Sequence, residues 1–392
     1  MSRTGEPIVM RDRIPYLDGF IHLNNAAGSL PDRSVYTAMT EHMELEARMG
    51  STEAMLSVSG KLEQLYDNLG QFIQVPGEQI ALFGSNTQAW QTPFLSLNFN
   101  PGDRILVGET EWGGNISAIH RRCEQTDAQM DIIPSDENGA IDVEALSQML
   151  DDKVRVVCVT WVPAVNGLIN PVNEIAEVLS DHPAWFFVDA AQFFGQGTTD
   201  LSNPRFDVTT VSTRKYIRGP RGLGFSVFSK RFLEQITPRG VDQFSGPFDE
   251  GIPNIRKDAK KFEYGESSYI VRMGLIEAVK LALKDNWDDI QTTITSHGAA
   301  LRSGLSGISG IQVEDRGPFL SGIVTFRHEK YDLAHFQKGL KARNINIGVP
   351  KEIYAPLWFK ERPLVGRIAP HAFNTEQEIE TVISAISDIA AE

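Results

Sequence analysis

The 392-residue sequence holds only two cysteines, Cys123 and Cys158. Two thiols cannot build a disulfide framework, nor a zinc site by themselves, and no metal centre is expected. Basic residues are in deficit, with 37 Lys plus Arg against 51 Asp plus Glu and a net charge of −14. That excludes general nucleic-acid binding, which needs basic surface to neutralise phosphates. No apolar run approaches the ~20 residues that span a membrane. Met1 to Arg13 is polar and lacks the apolar core of a secretory signal. What remains is ordinary: 41% hydrophobic and 22% charged residues, enough apolar material for a large core. The expectation is a soluble cytoplasmic enzyme.

From Ile80 to Phe228, short apolar runs alternate with longer mixed segments. Strands are predicted at Ile80–Phe83, Arg104–Val107, Met130–Ile133, Val154–Trp161, Trp185–Asp189, Asp207–Ser212 and Gly222–Phe228. Most are rich in Val, Ile and Phe without strict alternation, as in a parallel sheet covered on both faces. One intervening helix is signalled by Asn170 as N-cap and Pro171 at the first helical position. This alternation predicts a doubly wound α/β layer. After about Phe248 the pattern changes. Helices are predicted at Tyr269–Leu283, Asp332–Arg343 and Thr375–Ala391, the last with a capping box of Asn374 and Gln377. Short strands are predicted at Ile311–Glu314, Gly322–Phe326, Ile345–Ile347 and Arg367–Ala369, which gives a smaller α+β unit.

Two motifs carry chemistry. In Phe186-Phe187-Val188-Asp189-Ala190-Ala191-Gln192 an Asp closes a buried apolar strand, where α/β enzymes place functional groups. Alone, such an Asp could equally cap the next turn. In Ser212-Thr213-Arg214-Lys215-Tyr216 a Lys follows another strand, with Ser212 and Arg214 beside it as anion ligands and a Gly-rich turn after it. A Lys able to form a Schiff base and a carboxylate able to hold a pyridinium nitrogen make up the minimal pyridoxal phosphate apparatus.

With these residues in view, the chain from about Leu17 onward resembles the class V aminotransferase group of fold-type-I pyridoxal phosphate enzymes, which includes cysteine desulfurases. The matching segments are Leu23-Asn24-Asn25-Ala26-Ala27, Asp189-Ala-Ala-Gln192, Ser212-Thr-Arg-Lys215 and Arg218-Gly-Pro-Arg-Gly222. The resemblance implies a seven-stranded, mostly parallel large domain (16–262) and a small α+β C-terminal domain (263–392), with 1–15 packing on the latter. It implies a homodimer with Tyr264-Gly265-Glu266-Ser267-Ser268 reaching the neighbouring subunit's site. It also implies roles. Lys215 bonds the cofactor and Asp189 pairs with its ring nitrogen. Gln192 meets the ring hydroxyl, and Trp112 stacks on the ring. Ser85, Asn86 and Thr87 bind the phosphate together with Ser212 and Arg214. Arg367 grips the carboxylate of an amino-acid substrate, with Asn25 near it. A helix N-terminus at Ser85 suits a phosphate for independent physical reasons. Where many relatives place a hydrogen-bonding residue, this chain has Ala164, with Asn166 nearby in a different register.

Within the group, the hercynylcysteine sulfoxide lyases resemble this chain most, through Ser212–Gly222, Val188–Gln192 and Phe262–Ser267. Isopenicillin-epimerase-like proteins share the framework. The common step is removal of the substrate's α-proton, with Lys215 as base. Loss of a β-sulfur group, transamination and epimerisation stay open. A desulfurase of the kind known in the family needs a nucleophilic Cys in the C-terminal part of the chain, and neither cysteine is there. The first expectation is therefore a C–S lyase acting on a cysteine S-conjugate or sulfoxide.

Overall fold

A computed structural model describes residues 10–392. Seven strands form the large sheet: β1 (Ile80–Phe83), β2 (Arg104–Gly108), β3 (Gln129–Ile133), β4 (Val154–Thr160), β5 (Trp185–Asp189), β6 (Val208–Ser212) and β7 (Gly224–Phe228). Their order across the sheet is β1-β7-β6-β5-β4-β2-β3. Only β7 runs antiparallel to its neighbours, β1 and β6. β4 to β7 are buried almost throughout. Covered on both faces, they show no strict polar alternation: β5 is almost wholly apolar, while β6, Val-Thr-Thr-Val-Ser, buries its hydroxyl side chains as well. One face packs on Leu65, Leu69 and Ile73 of the helix Ser59–Ile73, the other on Trp90 and Phe94 of Asn86–Ser96.

The second unit has a three-stranded antiparallel sheet, Ile311–Val313, Val324–His328 and Gly366–Ile368. The helices Trp287–Ser306, Leu333–Ala342 and Glu376–Ala391 cover it through Leu301, Leu340 and Ile386. Helix Tyr269–Ala282, expected in this unit, instead buries Leu275, Ile276 and Val279 in the core of the large sheet. The small unit's own core therefore begins at the following helix. The expected N-terminal segment 1–15 lies partly outside the described residues. Its described part ties the two units together, with Met10 and Ile14 packed against Tyr216, Ile290 and Phe373.

Two caps differ from expectation. The helix after β4 starts at Val172, and Pro171 is its N-cap residue. Asn170 does not cap it, because its amide donates to the Thr160 carbonyl at 2.8 Å and its Oδ1 accepts from Ile141 N at 3.1 Å. The capping box of the last helix is Thr375 with Glu378, one residue beyond the expected pair. Asn374 instead faces inward, donating to Glu378 Oε2 and to the His22 carbonyl.

Candidate active site

A cavity of about 340 Å³ opens at the C-terminal ends of β4, β5 and β6. Nine of the predicted residues line it: Ser85, Asn86, Thr87, Trp112, Asp189, Gln192, Ser212, Arg214 and Lys215. Asn25 and Arg367 do not appear in its wall; Ala164 does.

Asp189 ends β5 and is 3% exposed. It accepts from Asn86 Nδ2 at 3.1 and 3.2 Å, from Asn115 Nδ2 at 3.2 Å and from Ala191 N at 3.0 Å. All of these donors are neutral. A carboxylate this deeply buried calls for a cationic partner, and among the described residues Asp189 forms no ion pair. The Lys215 amine, in the same cavity wall, makes no hydrogen bond among them either. Burial, reinforced by Arg214, holds its pKa well below the usual lysine range. A carboxylate without a cationic partner and a buried amine are the two groups that a pyridinium aldehyde would engage.

One end of the cavity is electropositive. Ser85 caps the helix Asn86–Ser96, its Oγ accepting from Gln88 N at 3.1 Å. The helix can descend onto the sheet because β7 offers Gly224 there: a Cβ at that position would meet Asn86 N at 2.6 Å. Arg214 donates to Ser212 Oγ at 2.6 Å and to the Ala27 carbonyl at 3.0 Å. Burial and the neighbouring Arg221 both push the Arg214 pKa down. Two guanidiniums beside a helix N-terminus, with no acidic side chain in that part of the wall, suit a phosphate. Asn86 is positioned differently from its expected role: its side chain is spent on Asp189, which leaves the backbone of its turn to face an anion.

Trp112, partly buried, stacks on Tyr354 at 5.0 Å between centroids. Tyr354 belongs to a strap of the small unit, 351–362, which closes over the large one. Arg362 of the strap donates to Glu109 at 2.8 Å, and the Ile353 carbonyl lies where a Cβ on Gly113 would stand, 1.8 Å from it. Gln192 donates to the Ala26 carbonyl at 3.0 Å and keeps its buried Oε1 without a partner.

On the substrate side, Arg367 is 4% exposed. Its guanidinium donates to the Ala164 carbonyl at 2.7 Å and to Asn24 Oδ1 at 3.4 Å, while Nε has no partner. Burial lowers its pKa to about 10, which leaves it charged at neutral pH with no acidic partner. The side chain beside it is Asn24. Asn25 is engaged elsewhere, with the Ala369 carbonyl at 2.8 Å and Ser29 Oγ at 2.8 Å. Asn166 is turned away from the cavity and accepts from Leu168 N at 3.2 Å. Cys158 is buried in β4 and Cys123 sits in the helix Gly113–Thr126; burial raises both thiol pKa values, and neither lines the cavity.

The sequence reading missed Arg221, Thr160, Glu111, Asn115, Asn24 and Tyr354. The adjacent Asn24-Asn25 pair offers no signal for which one faces Arg367. Glu111 and Asn115 are spaced i, i+4 across a helix start, a signal that was available.

The protein-family model for aminotransferase class-V matches residues 21–382. The chain belongs to the class-V aminotransferase family. It is accordingly a pyridoxal phosphate-dependent enzyme, and its α/β fold is that of fold type I. Among relatives, it is 24% identical to a probable cysteine desulfurase of Halobacterium salinarum, over 98% of this chain and 95% of that one. It is also 24% identical to a cysteine desulfurase of Haloferax volcanii, over 93% and 88%. The apo structure of a cysteine desulfurase from Thermococcus onnurineus superposes with a TM-score of 0.87 at 20% identity, covering 97% of both chains. The cystine C–S lyase C-DES in complex with its product cysteine persulfide superposes with a TM-score of 0.86 at 20% identity, covering 96% of this chain and 99% of that one. No helix among the described residues is long and apolar enough to cross a membrane.

Proposed function

We propose that this class-V enzyme is a C–S lyase that eliminates the β-sulfur group of a cysteine S-conjugate or sulfoxide, giving pyruvate and ammonia. The observation that carries this reading is the placement of the thiols. A desulfurase that stores sulfur on its own cysteine needs a thiol in the site, and the only two cysteines of the chain are in β4 and in a helix. Elimination needs only a base, an electron sink and a grip on the carboxylate.

The base and the grip are residues of the chain, and the sink is the cofactor's. Arg367 binds the α-carboxylate and thereby aligns the Cα–H bond. Lys215, whose burial favours the neutral amine, takes the α-proton onto Nζ. Bound pyridoxal phosphate supplies the electron sink at the α-carbon. Asp189 keeps the ring nitrogen protonated. Ser85, Thr87, Ser212 and Arg214 hold the phosphate, with Arg221 as a second cation. Trp112, held by Tyr354, covers the ring and excludes water. The electrons of the Cα–H bond become the Cα=Cβ bond as the C–S bond breaks with its electron pair leaving on sulfur, and water hydrolyses the released aminoacrylate to pyruvate and ammonia.

We also read the enzyme as a homodimer. Phe244, Phe248, Ile252 and Tyr264 are all more than half exposed along one stretch of chain, and Ser267 Oγ is buried without a partner.

Product analysis tests the reaction. Holoenzyme given an S-substituted cysteine and no keto-acid should release pyruvate in step with the thiol or sulfenate product. Turnover that requires an added keto-acid would make it a transaminase. Exchange of the α-proton with inversion and no sulfur release would make it an epimerase.

A further inference from the structure

Behind Asp189, outside the cavity wall, lies a second buried carboxyl group. Glu111 is 1% exposed and Asn115 is 0% exposed. Asn115 Nδ2 is 2.7 Å from Glu111 Oε1 and 3.2 Å from Asp189 Oδ2. One amide nitrogen, with its two hydrogens, therefore serves both carboxyl groups. The Asn115 Oδ1 has no partner, so nothing but these two acceptors decides which way the amide points.

Among the described residues Glu111 forms no ion pair. The groups facing it are Asp189 from β5, Cys158 and Thr160 from β4, and Asn115 and the Trp112 backbone from its own segment. Burial first, and the Asp189 charge second, push its pKa up to about 7. Two carboxyl groups sharing a donor in a low-dielectric interior resist simultaneous ionisation. A cation placed on Asp189 relieves that conflict.

We propose that Glu111 is a positioning residue that acts on Asp189 through Asn115. An ionised Glu111 accepts hydrogen bonds only, so it fixes Nδ2 toward both carboxylates and keeps Oδ1 from turning onto Asp189. Its negative charge, one amide away, adds to that of Asp189 and strengthens the pull on a protonated ring nitrogen. With a proton on Glu111 both effects weaken. The inference rests on the pyridoxal phosphate assignment and on Asp189 as the partner of the ring nitrogen.

The test reads the nitrogen NMR shift of ring-labelled pyridoxal phosphate bound to the full-length protein, from mildly acidic to mildly alkaline pH. In the wild type the signal should sit toward the pyridinium position and gain further protonated character as Glu111 ionises. Glu111→Gln, which keeps the size and an acceptor oxygen but cannot ionise, should shift the signal toward neutral pyridine at alkaline pH and flatten its pH profile. A Glu111→Gln signal that matches the wild type across the range overturns the inference. If that variant does not fold, Asn115→Ala decides, since it should flatten the profile with Glu111 intact, and a wild-type profile there overturns the inference. A wild type that takes up no pyridoxal phosphate instead sinks the cofactor assignment and the inference with it.

Discussion

The Nε2 of His371 lies 2.9 Å from the carbonyl oxygen of Tyr216, so a histidine of the small unit holds the residue next to Lys215. His371 is fully buried, and its ring stacks between Tyr216 and Phe373. Its Nδ1 accepts from Ala372 N at 2.8 Å, which fixes the neutral tautomer with the proton on Nε2.

That contact predicts an acid limit. Burial, and then Arg218, lower the His371 pKa from 6.5 to about 3. The unfolded chain takes up this proton first, so the stability contribution is complete above pH 6.5 and is lost as pH falls toward 3. At 1.36 kcal/mol per pKa unit the loss is on the order of a few kcal/mol. Urea midpoints measured from neutral to acidic pH should fall less steeply for His371→Gln, whose amide can still donate to Tyr216 O. Equal slopes would contradict the contact's neutral state.

Lys215→Ala should abolish the borohydride-reducible link to the cofactor and nearly all turnover, because the amine is both the covalent partner and the base. Mass spectrometry after reduction reads the link. A variant that keeps both would remove Lys215 from the mechanism.

Asp189→Asn should retain the cofactor but lose turnover steeply. An amide cannot hold the ring nitrogen protonated, and its NH2 would face the NH2 groups of Asn86 and Asn115. Near-normal rates would mean that the reaction needs no electron sink.

Arg367→Lys should raise KM and lower kcat together, with the resting cofactor spectrum unchanged. The fork that meets a carboxylate is lost although the charge is kept. Arg362 is the nearest alternative in sequence, but it is already paired with Glu109 and lies over Trp358 at 3.7 Å. Arg362→Lys should therefore leave KM close to wild type, and the opposite ranking would reassign the carboxylate site.

Sedimentation should give a dimer whose activity falls as it is diluted into monomers. Phe248→Lys, on the exposed stretch, should promote that dissociation. A fully active monomer would end the idea of a shared site.

The large sheet was legible because most of its strands are short runs rich in Val, Ile and Phe bounded by polar segments, although β3 and β6 carry polar residues. All seven strands fall within one or two residues of expectation. Asp189 was legible because it closes the apolar run Trp185–Asp189, and Lys215 because it follows β6 in a segment with Ser212 and Arg214. The small unit was harder to read. The helix Trp287–Ser306 was missed because its apolar positions, Ile290, Ile294, Leu301 and Leu305, are diluted by Gly, Ser and Thr. Caps misled where a side chain had a long-range acceptor: Asn170 is spent on β4, and Asn374 on His22. The same physics hid Asn24 and exchanged it for Asn25, since only the fold decides which of two adjacent amides meets the Ala369 carbonyl and which meets Arg367. Glu111 went unread because its importance is relational. A glutamate before a helix looks like a solvated end until Asp189 is found one amide away.

Gly113 leaves no room between the two units, and this has a kinetic meaning. With the Ile353 carbonyl filling the space of its missing Cβ and Tyr354 lying on Trp112, a shift of Trp112 away from the cavity would have to displace the strap as well. If Trp112 covers the bound ring as proposed, substrate entry and product release would both require that displacement. Selectivity among substituents would then appear in the rates of arrival and departure, and less in the equilibrium affinity for the carboxylate that the proposed substrates share.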